Sequence, residues 1–201
     1  MTEITRRFSR NPPLGRGRAD GYNLIEMMFV MGIMSVLAAM AVVQINASRA
    51  ALKGDAAMRV VMTQMNQARE MAITQRRYME VTFTTPRTVN IIREDTTTTT
   101  TNLSSVPFEG GATFGVYSGL PDTPDAFGKN AATYFTSSAG VVTIVKFAPD
   151  GTLVDSNGQT ANGSVFLSIP TLALSSRAVT VLGSTGRVRA YRWDGSGWKV
   201  V

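Results

Sequence analysis

The chain contains no cysteine and no histidine. Their absence removes thiolate nucleophiles, imidazole bases, histidine-containing triads and every zinc site built from those two residues. Most routes to an enzyme close with them, so no enzymatic activity, cofactor or metal site is expected. Disulfides are excluded as a source of stability, and the cysteine count leaves the compartment open. Charge is nearly missing from residues 22–45, where Glu26 is the only charged side chain. With 201 residues the chain has room for an anchor and one domain, and is short for two full cores.

The net charge of +6 is unevenly spread. Residues 1–21 hold five arginines against Glu3 and Asp20, and residues 46–77 hold six basic residues against Asp55 and Glu70. Residues 78–176 reverse the sign, with four basic and eight acidic residues, before residues 177–201 return five basic residues against Asp194. If the arginine-rich start is a removable leader, the remaining protein is only mildly basic. Any polyanion-binding role then rests on the C-terminal cluster.

Residues 22–45, YNLIEMMFVMGIMSVLAAMAVVQI, form an apolar run of 24 residues. At about 1.5 Å per residue it is long enough to cross a hydrocarbon core of about 30 Å. Five arginines precede it, so the basic side is expected to stay cytoplasmic and everything after Ile45 to be exported. A secretory signal peptide has a shorter apolar core, with its small-residue cut site behind it. Here the distinctive small residue, Gly21, comes first.

Helical signals continue through residues 46–78, with Met58, Val61, Met65, Ala68 and Ala72 spaced along one apolar face. That stripe reads as a core seam rather than a partner groove. Gly54 is the weak point of the helix and a place for a bend. From residue 79 the period changes to two. Val81 and Phe83, then Val89 and Ile91, predict a hairpin around Pro86. Further strands are expected at 113–117, 141–147, 165–169, 179–182, 188–193 and 198–200. The Thr96 to Thr101 tract reads as a loop in preference to an exposed edge strand, and is a candidate for glycosylation. Pro149, Asp150 and Gly151 read as turn chemistry. The carboxylates of Glu94 and Asp95 are adjacent on a strand and so face opposite ways. One helix followed by many short strands is an α+β layout.

The string GYNLIE, Gly21 to Glu26, resembles the prepilin cleavage and methylation motif, with Tyr22 where the family usually has Phe and Asn23 where it has Thr or Ser. The fragments QAREMAI (67–73), KFAPDGTL (146–153), VFLSI (165–169) and RAVTVLGSTGRVR (177–189) resemble the GspH/FimT family of minor pilins and pseudopilins. The resemblance implies a pilin-like fold: a leader (1–21), a transmembrane and assembly helix (22–45), an amphipathic exported helix (46–78) packed on an antiparallel sheet or sandwich, and a β-rich domain (79–201). It implies cleavage between Gly21 and Tyr22 by a prepilin peptidase, N-methylation of Tyr22, and residence in the bacterial inner membrane before incorporation into a type IV pilus or a type II secretion pseudopilus beside other pilins. Val43 stands where many members carry proline, which implies a straighter upper membrane helix. A protein that keeps its leader and stays a single-pass anchor is the distant alternative.

Glu26 bears on this choice. A carboxylate inside a membrane span costs on the order of 3 kcal/mol on insertion scales. Cleavage would free the amine of Tyr22, a cation about four residues, or roughly 6 Å, away along the helix axis. The resemblance implies that a neighbouring subunit's amine meets Glu26 and fixes axial register; the alternative is that Glu26 reaches the headgroups.

Arg187 and Arg189 lie two apart on an expected strand, so both guanidinium groups should leave one face, with Tyr191 beyond them. Two guanidinium forks and a ring suit phosphate and an exposed base. Arg177, Arg192 and Lys199 would enlarge the patch. Some members of the resembled family contact DNA through a C-terminal Gly-Arg-x-Arg element, which Gly186 to Arg189 fits, so DNA is the candidate partner beyond the filament. The alternatives are a solvated strand face and contacts between subunits.

Overall fold

The computed structural model describes Gly21, residues 23–96 and residues 98–201; the side chains of residues 43–48 and of Ala50 are outside that description. Residues 1–20 of the expected leader and Tyr22 therefore lie outside the described residues, as does the side chain of Val43. Among the described residues one helix, α1 (Leu24–Gln75), precedes twelve strands, an α+β chain with the helix first. Contacts divide the chain into two units, Met1–Val42 and Val43–Val201.

In the first unit α1 starts where Asn23 caps it: the side-chain Oδ1 accepts from the amide of Ile25 at 3.4 Å and the carbonyl accepts from the amide of Met27 at 3.1 Å. The stretch Leu24–Val42 is long and apolar enough to cross a membrane, and none of it is buried. In the second unit the stripe expected from spacing is the face the helix buries, with Ala57, Met58, Val61, Met65, Ala68 and Ala72 at most 1% exposed. Each such Met or Val side chain contributes about 1.5–3 kcal/mol by leaving water. The helix stops at Gln75, three residues short of the expected end, because Arg76 turns left-handed (φ 51°) and the amide of Arg77 closes back on the carbonyl of Ala72.

Two antiparallel sheets share the core with this helix. The first comprises β1 (Met79–Thr84), β2 (Thr88–Glu94), β3 (Thr100–Pro107), β7 (Val145–Phe147) and β8 (Leu153–Val154), in the order β3-β2-β1-β7-β8. The second comprises β5 (Thr133–Ser137), β6 (Gly140–Val142), β9 (Asn162–Ile169), β10 (Leu172–Leu182), β11 (Arg187–Trp193) and β12 (Trp198–Val200), in the order β12-β11-β10-β9-β5-β6, with β4 (Thr113–Phe114) paired to β9. The expected hairpin is β1–β2, in register from Met79↔Arg93 to Thr84↔Thr88. Met79, Val81, Val89, Ile91 and Phe147 from the first sheet meet Val165, Leu167, Val179, Val181 and Ala190 from the second in the core that α1 covers. Phe114 lies edge-on to both Phe83 and Phe108, at 5.7 and 5.0 Å between ring centroids.

Several expectations are corrected. Residues 141–147 form two strands, β6 and β7, in different sheets, because the apolar run holds the crossover and leaves Val141 and Ile144 exposed. The threonine tract enters β3 at Thr100, an edge strand tied to the helix by the Ser104 hydroxyl donating to Gln64 Oε1 at 2.9 Å. Before it, the amide of Asp95 donates to the Thr99 carbonyl and closes a turn. Gly54 marks a close approach, not a bend. A Cβ there would collide with the carbonyl of Ser175 and lie 3.4 Å from Cγ of Arg177, so only glycine lets α1 meet β10 at this point.

Candidate functional site

At the N-terminal end Gly21 and Asn23 are exposed and outside the helix, and Glu26 sits exposed in its first turn. A carboxylate there complements the partial positive charge of a helix N-terminus. Below it Leu24, Ile25, Met28, Phe29 and Met31 are each more than half exposed. A continuous apolar helix with no cover from the described residues is a surface for lipid or for another helix.

The C-terminal arginines are sorted by the alternation of β11. Arg187, Arg189 and Tyr191 do share a face, as expected, but Tyr191 is 1% exposed and Arg177 is fully buried, so neither belongs to a surface patch. Both corrections have a physical cause. The outer face of the second sheet is covered by residues 115–130, which pack a small cluster of Phe166, Ala178 and Tyr191 with Val116 and Trp198. Within this covering loop Asp125 accepts from Thr180 Oγ1 at 2.6 Å, Tyr191 Oη at 2.9 Å and Arg189 Nη1 at 3.0 Å. Burial alone would push its carboxyl up, but these three donors hold it below the usual carboxylate range. Burial and the bond to Asp125 push the Tyr191 phenol up.

Arg177 lies on the core-facing side of β10, where it bonds the helix to the sheet. Its Nε donates to Asp55 Oδ1 at 2.6 Å, Nη1 to the carbonyls of Leu174 and Ser176, and Nη2 to the carbonyl of Ala51 at 2.9 Å. Arg192 pairs across the strands with Arg177 but is exposed, and Lys199, 64% exposed, lies 3.7 Å from Asp194. Of the six residues read as a basic patch, Arg187, Arg192 and Lys199 are exposed and Arg189 is partly so, its side chain 39% exposed but paired with Asp125, with Arg187 and Arg192 on opposite faces of β11.

Three residues that the sequence reading left out hold this arrangement together. Asp55 is one charge among several on the helix, and Asp125 lies in a Pro- and Gly-punctuated stretch for which no strand is expected; neither carries a local signal of its partner. Arg69 belongs to the QAREMAI fragment, and that fragment meets two others in space. Its Nε donates to the carbonyl of Gly151 at 3.1 Å, and a Cβ on Gly186 would lie 2.8 Å from that same Nε. The Asp150 carboxylate in the intervening turn is taken up by the amide and hydroxyl of Thr152 at 2.9 and 2.7 Å, as its turn reading requires.

Comparison with known proteins gives no matching family model, no matching curated protein and no matching solved structure.

Proposed function

We propose that this chain is a subunit of a type IV pilin-like filament, a minor pilin or minor pseudopilin. In this reading it is cut after Gly21 by a prepilin peptidase, methylated on Tyr22 and packed into the filament by the helix that starts at Leu24. One observation carries the reading: an exposed apolar helical stretch, Leu24–Val42, follows a glycine outside the helix and holds a single carboxylate, Glu26, in its first turn. Its nineteen residues span about 28 Å, close to the thickness of a hydrocarbon core. Helices can shed lipid for one another without changing the polarity around them, so the same surface serves as anchor and later as filament seam. The freed amine of Tyr22 supplies the cation that Glu26 needs in either setting. By the charge rule the unit Val43–Val201 then lies on the exported side. That unit supports the reading by using the rest of the helix as one wall of a β-rich core, a pilin-like division of labour.

The test is the mass of the N-terminal peptide of protein recovered from its native membrane. A peptide beginning at N-methylated Tyr22 is expected; Met1 still attached, with no peptide starting at Tyr22, overturns the proposal in favour of an uncleaved anchor. Glu26→Ala is expected to abolish incorporation into filaments, and unchanged incorporation would mean that Glu26 only reaches the headgroups. The DNA-receptor reading is weakened by the burial of Arg177 and Tyr191 and by the hold of Asp125 on Arg189. Titration with labelled DNA at two salt concentrations decides it: binding that falls steeply with salt and is lost in an Arg187→Ala, Arg189→Ala variant would restore it.

A further inference from the structure

The strand-end turn that carries Gly186 and Arg187 faces the exported part of α1 across a groove of about 470 Å³ lined by Asn66, Arg69, Leu182, Thr185, Gly186, Arg187 and Val188. We infer that this groove binds a phosphate group, with Arg69 and Arg187 as its cations. Three sequence-distant segments build it. Arg69 comes from the helix, Gly151 from the turn between β7 and β8, and Gly186 from the turn between β10 and β11. The Gly151 carbonyl accepts the Arg69 Nε, and Gly186, at φ 61°, has no room for a side chain beside that guanidinium. Arg69 is thereby fixed through one nitrogen, and its two terminal nitrogens have no hydrogen-bond acceptor among the described residues. The side chain of Arg187 is exposed and likewise has no ion pair among them.

The donor set selects the ligand. Besides the two guanidiniums the groove offers the Asn66 amide and the Thr185 hydroxyl, whose oxygen already accepts from the amide of Arg187 at 3.3 Å and whose proton is therefore free to donate. A phosphate group has three or more oxygens to meet these donors, a carboxylate only two, and paired arginines bind phosphate by forked hydrogen bonds. The nearby acid, Asp150, forms no ion pair with either arginine among the described residues, and its Oδ1 takes the amide and hydroxyl of Thr152. Gly186 is thus needed for more than a turn: a Cβ there would collide with the Gly151 carbonyl oxygen that holds Arg69. The inference does not depend on the filament reading.

The experiment uses the full chain in uncharged detergent micelles and, separately, in nanodiscs. Inorganic phosphate is titrated calorimetrically at constant ionic strength, with chloride as the replacement. Saturable binding is expected, weakened roughly tenfold by Arg187→Gln, the scale of one lost charge-assisted hydrogen bond. Arg69→Gln should act similarly, and Arg187→Gln keeps the test valid if Arg69→Gln fails to fold, since it removes only an exposed side chain. Arg192→Gln, a surface arginine outside the groove, should bind as wild type does. The lipid arm compares nanodiscs of phosphatidylcholine with nanodiscs containing phosphatidic acid. Saturation by inorganic phosphate identifies a free phosphate ligand. Protection of the Thr185 to Val188 amides from exchange only in phosphatidic acid discs, lost in Arg187→Gln, identifies a headgroup. No binding in either arm, or equal weakening by Arg192→Gln, overturns the inference.

Discussion

Removing the carboxylate of Asp55 should cost this protein more than any other single charge. Arg177 is fully buried, and its only counter-ion among the described residues is Asp55, whose side chain is 23% exposed. Breaking a buried pair by deleting one partner costs about 3–5 kcal/mol, because the surviving charge is left without compensation. Three carbonyl oxygens, of Ala51, Leu174 and Ser176, continue to solvate the guanidinium, and the site of Asp55 can admit water. Both features lower the expected cost of Asp55→Ala to roughly 2–3 kcal/mol, or a fall in melting temperature of roughly 4–12 °C for a chain of this size. Asp55→Asn, which keeps an acceptor, should cost about half as much. Replacing both partners, Asp55→Ala with Arg177→Met, should recover most of the loss, since two neutral side chains leave no orphaned charge. The assay is urea unfolding of the full chain in micelles followed by tryptophan fluorescence, which reports the second unit because both tryptophans, Trp193 and Trp198, lie there. Asp55→Ala within about 0.5 kcal/mol of wild type, or a double variant worse than either single one, would refute the account of Arg177 as a charge-dependent latch.

Gly54→Ala improves helix propensity by about 1 kcal/mol, yet a methyl group there meets the Ser175 carbonyl, so net destabilisation of roughly 1–3 kcal/mol is expected in the same unfolding assay. A gain in stability would show that the helix does not approach β10 as described. Asp125→Asn should loosen residues 117–128, seen as faster amide exchange, and cost roughly 1–3 kcal/mol through the bonds to Thr180, Arg189 and Tyr191. Because the folded carboxyl of Asp125 is depressed, its contribution is fully present above the unfolded value near 4 and is lost as pH falls through the folded one. The gap between wild type and Asp125→Asn should therefore close in acid and not in alkali. Asp194 is held at about 2 by the amides of Ser196 and Gly197 and the Ser196 hydroxyl, so those amide resonances should titrate near that pH; a midpoint near 4 would mean that the turn is open in solution.

What could be read from the sequence was what periodicity encodes. The buried helix stripe, the β1–β2 hairpin and the strands at 165–169, 188–193 and 198–200 follow from local spacing of apolar residues, and each lies within the element observed there. The β3 strand was missed because an exposed edge needs no apolar alternation; Leu103, Val106 and the terminal Pro107 are its only non-polar residues. The crossover inside residues 141–147 was missed because both sheets want apolar residues, so a strand that changes sheet looks like one strand. The arginine face of β11 was read correctly in parity and, for Tyr191, wrongly in exposure. Parity is a property of one strand, whereas exposure was decided by Asp125, more than sixty residues away in the chain. In the same way nothing near Arg177 announces Asp55, which is separated from it by 122 positions.

The crossing of Arg69, Gly151 and Gly186 sets an order on events during synthesis. Its helix and turn components are joined by a hydrogen bond spanning 82 positions, and its third component arrives only with the β10–β11 hairpin. Such long-range closure is slow compared with helix formation. A nascent chain stopped before residue 186 therefore has a formed helix whose Met-rich face lacks part of its cover, and it should be the species most prone to clump. The turn at Gly186 and the strand that follows it thus act as a clasp on material made long before them.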